Sequence, residues 1–171
     1  MSKNLLKAAG IIVVASIVLV GCQQEVASGD PVEVTVKDIT LLHANARKHS
    51  IGEAIKQHKN ITDDMIKANL IPKGLVKHGK AENAWSGRIL IQVFPANAWG
   101  AGVPPTLNYV LESIPKKECS QLIEKLSRLS EVKIFQIHVE PSKKSHKAFP
   151  VAGDDGCSEG VNNIGYTVFA D

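Results

Sequence analysis

Between Lys7 and Gln23 lie 15 uncharged residues, Ala8 to Cys22, nearly all of them apolar. This run decides how much of the chain is left to build a domain. A helix that crosses a bilayer needs about 20 apolar residues. The run is shorter than that and follows Lys3 and Lys7, the arrangement of an export signal with a basic start and an apolar middle. The folding part of the chain therefore starts after it, outside the cytoplasm.

The run closes on Leu19-Val20-Gly21-Cys22, with leucine three residues before the cysteine and glycine one before it. That ending resembles a bacterial lipoprotein signal, cut before Cys22, with acyl chains then added to Cys22. An ordinary secretory signal with an incidental cysteine, and a retained membrane anchor, are the other two readings. Each buried CH₂ of a lipid contributes about 0.8 kcal/mol, and stable attachment takes more than one chain. The expected organisation is a signal over 1–21, a tether over 22–32 and a globular domain over 33–171. Gln23 stands where many inner-membrane lipoproteins carry aspartate, which favours the outer membrane.

Removing the signal leaves 150 residues, enough for one domain with a sizeable core. Its 18 basic and 17 acidic residues nearly cancel. A nucleic-acid partner calls for a basic stripe with interleaved aromatics. Aromatics make up only 5% of the chain and no Lys/Arg run exceeds two residues, so nucleic acid is set aside. With Cys22 taken by lipid, Cys119 and Cys157 remain, an even pair in an oxidising compartment, and are expected to form a disulfide. Closing that loop is worth roughly 4 kcal/mol in the chain-entropy account. A redox thiol would want a Cys-X-X-Cys spacing or a low-pKa setting, and neither is visible.

The sequence predicts a first helix between Val34 and Ser50, with Ile39, Leu42, Ala46 and His49 on one face. The alternation of Val32, Val34 and Val36 allows a short strand before it. Thr62-Asp63-Asp64 reads as a helix start, a capping hydroxyl followed by two acids at the positive end of the dipole, and Pro72 and Gly74 end that helix. Strands are expected over 88–94 and 106–113, joined by a Trp-, Gly- and Pro-containing loop from Pro95 to Pro105. Pro115 suits the first turn of a third helix, in which Cys119, Leu122, Ile123, Leu126 and Leu129 form an apolar stripe. A strand over 132–139, a long loop from Glu140 to Asn163 and a last strand over 166–169 complete the pattern. Helices before and between antiparallel strands define an α+β domain.

No catalytic constellation has the required spacing. The six histidines are scattered without a metal-site pairing, and most read as solvated surface residues, with His138 partly buried on a strand. Gly153-Asp154-Asp155-Gly156 has two acids but no EF-hand frame, and reads as a turn. No catalytic residue, cofactor or metal site is assigned. Trp85, in Asn83-Ala84-Trp85-Ser86-Gly87, is expected to bury its ring beneath a turn. Trp99, mid-loop in Asn97-Ala98-Trp99-Gly100, is the candidate interaction residue.

From Leu41 onward the chain resembles the globular domain of type IVb pilins of the PilS kind. Leu41-Leu42-His43-Ala44-Asn45-Ala46-Arg47 resembles the end of the pilin spine helix. Thr62, Met65, Ala68, Leu70-Ile71-Pro72, Val76 and Gly79 resemble the short helix and turn that follow. Asn83-Ala84-Trp85-Ser86-Gly87 resembles the Asn-x-Trp-Gly-Gly turn, with Ser86 in place of a glycine. Ile114-Pro115-Lys116-Lys117-Glu118-Cys119 resembles the proline-to-cysteine helix start. The resemblance implies an N-terminal helix packed on an antiparallel sheet, with Cys119 and Cys157 as the C-terminal pilin disulfide. One departure stands out. Pilins of this family carry a hydrophobic spine helix with a glutamate near its start, and the run after Gly10 has no acid. Pro31 also interrupts any continuous helix into the domain.

The expectation is thus a non-enzymatic, lipid-anchored pilin-like protein of the cell envelope. Its partners would be pilin subunits or assembly proteins of a type IVb pilus or a related secretion or conjugation system. They would be met at the sheet edge, the Pro95–Pro105 loop or the Glu140–Asn163 loop. A true fibre subunit is the alternative. A periplasmic enzyme or ligand-binding lipoprotein would need a pocket of converging polar groups.

Overall fold

The computed structural model describes residues 29–51, 58–140, 144–147 and 156–170, with side chains for 29–48, 58–140 and 156–170. In chain order the main elements are α1 (Pro31–Ile51), β1 (Lys59–Asn60), α2 (Thr62–Lys67), β2 (Val76–Lys77), β3 (Lys80–Ala81), β4 (Ile89–Phe94), β5 (Thr106–Pro115), α3 (Lys116–Ser127), β6 (Ile134–Glu140), β7 (Lys144–Lys147) and β8 (Val161–Phe169). The large sheet is antiparallel with order β1-β4-β5-β8-β6-β7, and β2-β3 forms a separate hairpin.

Strand alternation gives the sheet two different faces. On the inner face, Ile91, Tyr109 and Tyr166 lie in register, as do Ile89, Leu111 and Ile164, and all are buried. The helices bring Ile39, Leu42 and Ala46 of α1 and Cys119, Leu122, Ile123 and Leu126 of α3 into the same apolar core. The α+β architecture, an N-terminal helix on an antiparallel sheet, is therefore as expected.

Several local expectations change. The helix takes in Pro31 and Val32, so no Val32–Val36 strand forms and the ordered part starts slightly before the expected tether boundary. The Thr62 hydroxyl does not cap its helix. It accepts the Ile91 N–H at 2.8 Å on the outer edge of β4, and the Thr62 N–H is taken up by Asn60. Pro115 ends β5 and sits immediately before α3 rather than inside it. The final strand runs from Val161, and β7 occupies part of the expected Glu140–Asn163 loop.

Candidate functional site

The start of α1 is built from two residues. Asp30 accepts the Val32 N–H through Oδ1 at 3.0 Å, and its carbonyl receives the Val34 N–H at 3.0 Å. Pro31 follows at the first helical position, where its missing N–H costs nothing and its fixed φ already suits the helix. An unbroken helix arriving from upstream would set the Pro31 ring against the preceding turn. The structure therefore gives α1 a capped beginning. Glu33 in the first turn pairs with Lys125 of α3, an exposed contact of small energetic value. Cys22, the expected lipidation site, lies outside the described residues.

Beside this end, Asp30, Glu33, Val36, Gln121, Glu124, Lys125, Arg128 and Leu129 line an open groove of about 510 Å³. Four of its five charged residues pair, Glu33 with Lys125 and Glu124 with Arg128 at 2.8 Å, while the Asp30 carboxylate accepts the Val32 N–H. Nothing in it pairs a nucleophile with a base. Among the described residues no group of three or more His, Cys, Asp or Glu is placed to hold a metal.

The strongly perturbed groups lie elsewhere, beneath α1. His43 is buried and its Nδ1 lies 3.1 Å from the Tyr109 hydroxyl. Tyr109 stacks on Tyr166 with ring centroids 4.9 Å apart. Burial, helped by the Arg47 charge, lowers the His43 pKa to about 4, so the ring is neutral at neutral pH. Desolvation raises both tyrosines. The Arg47 Nε, Thr35 Oγ1 and Tyr166 hydroxyl are buried without a hydrogen-bond partner. This is a polar seam inside the helix–sheet interface. The expectation of a surface histidine fails at His43, and the signal was available: residues 39, 42, 43 and 46 share one helical face. His58 and His78 are exposed and His138 is half-buried, while the side chains of His49 and His146 lie outside those described. The His138 ring fills the space over Gly165, where an added Cβ would lie within 1.9 Å of it.

The Asn83–Gly87 turn is a densely bonded polar unit. Asn83 Oδ1 accepts the N–H groups of Trp85 and Gly87, both at 3.0 Å, and its Nδ2 donates to the Glu112 carbonyl at 2.7 Å. Gly87 is required here, because a Cβ would stand 1.8 Å from that same carbonyl oxygen. Ser86 has φ 63°, the left-handed conformation that glycine adopts most easily. Trp85 is half-buried against the core, and the Gly153–Asp155 part of the glycine-aspartate turn lies outside the described residues.

Cys119 and Cys157 form a disulfide with Cα atoms 6.1 Å apart. The segment after it is also fastened: Asn162 bonds Ser158 and the Ile114 carbonyl, and Gly160 accepts the Lys116 N–H. Trp99 is 39% exposed, and its indole N–H donates to Thr106 at 2.8 Å. The structure leaves the sequence-derived positions apart. The Cys119–Cys157 disulfide and Trp99 do not converge on one pocket, and none of these residues lines the groove beside α1.

A capped helix laid on an antiparallel sheet with a C-terminal disulfide is a pilin-like fold. The solved type IVb pilin from Salmonella typhi has it too, with a TM-score of 0.58 and 20% identity, over 78% of this chain and 97% of that one. The PilS N terminal family matches residues 30–168, beginning at the Asp30 cap, and the chain belongs to that family. No curated protein matches the chain. No described helix is long and apolar enough to cross a membrane.

Proposed function

We propose that the chain is a lipid-anchored, non-enzymatic pilin-like protein of the cell envelope. It works by contact with pilin subunits or assembly proteins of a type IVb pilus or a related secretion or conjugation system. The observation that carries this reading is the capped start of α1 at Asp30 and Pro31, only a few residues after Cys22. Cleavage before Cys22 removes the apolar run, and the residues then left ahead of Pro31, Cys22 to Asp30, contain no apolar run to pack a fibre core. The Leu19-Val20-Gly21-Cys22 ending supports the lipid, and Gln23 favours the outer membrane.

The experiment combines fractionation with mass spectrometry of the N-terminal peptide. A diacylated or triacylated Cys22 peptide, and release of Cys22→Ala from membranes, are expected. The second reading, a fibre subunit, is favoured by the PilS family membership itself. Stoichiometric recovery of the chain in sheared pili, with Cys22 unmodified, would establish it and overturn the first.

A further inference from the structure

The outer face of the sheet carries a row of aromatic rings at one end. Phe94, Thr106 and Phe169 lie in register across β4, β5 and β8. His58 stacks on Phe94 with centroids 4.3 Å apart and planes 24° from parallel, and Phe94 meets Trp99 at 4.9 Å. Phe135 meets Phe169 at 5.3 Å on the other side of Thr106. His58 and Trp99 are open to solvent, and Phe94, which touches both, is half-buried, as are Phe135 and Phe169.

Trp99 does not swing freely on its loop. Its N–H is held by Thr106, and the loop is closed by Asn97 N–H to the Val103 carbonyl at 2.8 Å and Gly102 N–H to Asn97 Oδ1 at 2.8 Å. The ring is thus fixed before any ligand arrives, which reduces the ordering cost of binding. Two carboxamides flank the rings. Gln92 Oε1 is used by Asn108 and Asn97 Oδ1 by Gly102, while the amide nitrogen of each makes no hydrogen bond among the described residues. Phe94, Trp99, Gln92 and Asn97 are uncharged residue types, and the neighbouring Lys59 pairs with Asp64 at 2.7 Å.

We infer that His58, Phe94 and Trp99, with the Gln92 and Asn97 amides, form a shallow binding shelf for a neutral saccharide. A sugar ring presents an apolar C–H face that an exposed indole can cover, and peripheral hydroxyls that accept from carboxamide N–H groups. The chemistry argues against other ligands. A nucleic acid needs phosphate-neutralising cations, and an anionic membrane surface needs the same. The inference does not depend on whether the chain is lipidated or enters a fibre.

The test is an NMR titration of the full chain in a detergent without a sugar headgroup. Chitotriose and maltotriose serve as probes, and the two indole N–H signals are assigned with Trp99→Phe. A saturable shift of the Trp99 signal with the Trp85 signal unmoved is expected for at least one probe. Trp99→Ala should weaken binding by about tenfold or more, and the remote Leu41→Ala should leave it unchanged. Trp99→Phe, which retains a ring, checks that loss in the alanine variant is not a folding failure and should keep part of the affinity. No saturable shift with either saccharide, or undiminished affinity in a folded Trp99→Ala, overturns the proposal. A proline-rich peptide is titrated as a control, and saturable binding of that peptide with neither saccharide bound likewise overturns it.

Discussion

Replacing Asn83 by alanine removes one carboxamide and three hydrogen bonds together. Asn83 is 1% exposed, and its bond to the Gly87 N–H is buried while that to the Glu112 carbonyl is partly buried. A buried polar group left unpaired costs about 1–3 kcal/mol, so two of them cost roughly 3–4 kcal/mol after partial relaxation. For a domain of this size that lowers the melting temperature by about 10 °C. Urea unfolding of the oxidised protein, followed by circular dichroism, measures the loss directly. Asn83→Asp makes the test more specific, since it keeps the acceptor for Trp85 and Gly87 but turns the Glu112 donor into a second oxygen. A protonated carboxyl can donate there and a carboxylate cannot, so folding raises the new group's pKa above the ordinary Asp value. Its contribution is then present at low pH and lost as pH rises through the folded pKa. A loss below about 1 kcal/mol for Asn83→Ala, or an Asn83→Asp variant whose deficit relative to wild type at the same pH is smaller at neutral than at acid pH, would refute the reasoning.

The buried His43 makes a second expectation pH-dependent. Its folded pKa of about 4 lies below the ordinary value of 6.5, so the unfolded chain binds the extra proton first. Stability should fall as pH drops from 6.5 towards 4 and then level off, by up to about 3 kcal/mol. His43→Gln should flatten that part of the urea-midpoint profile; an unchanged slope argues against burial of the ring. For the disulfide, the double variant Cys119→Ala/Cys157→Ala should lose roughly 2–4 kcal/mol. A free-thiol assay on the exported wild type should find neither cysteine reactive.

The elements that were legible in the sequence are those whose local pattern agrees with their burial. Residues 119, 122, 123 and 126 repeat at helical spacing and all are buried in α3. Ile89, Ile91 and Val93 alternate with half-exposed neighbours in β4. The two cysteines could be paired from their number and compartment alone. The missed parts have weak local signals and are held by tertiary contacts. β8 opens with Val161-Asn162-Asn163-Ile164-Gly165, where amides and glycine lower strand propensity. Asn162 is nevertheless buried to bond Ile114 and Ser158, and Gly165 is there to admit His138. Thr62 looked like a cap because hydroxyls favour helix starts, but its partner on β4 is 29 positions away. The aromatic shelf was half visible. Trp99 stood out as a loop tryptophan, whereas its contact with Phe94, and through it His58, depends on strand register.

That unusual use of Thr62 affects how the sheet meets other chains. An open β-strand edge is a template onto which another strand can add. Along β4 that template is occupied: β1 covers Gln92 and Val93, the Ile61 N–H takes the Ile91 carbonyl, Thr62 takes the Ile91 N–H, and Glu82 bridges to Arg88. β4 is thus covered by the short segment that leads into α2, and the two-residue β1 becomes the edge of the sheet on that side. Strand exchange there would require unfolding α2 first. At the opposite end the sheet finishes on β7, where Lys144 and Lys147 put lysines at both ends of the strand, a placement of charge that discourages the addition of a further strand.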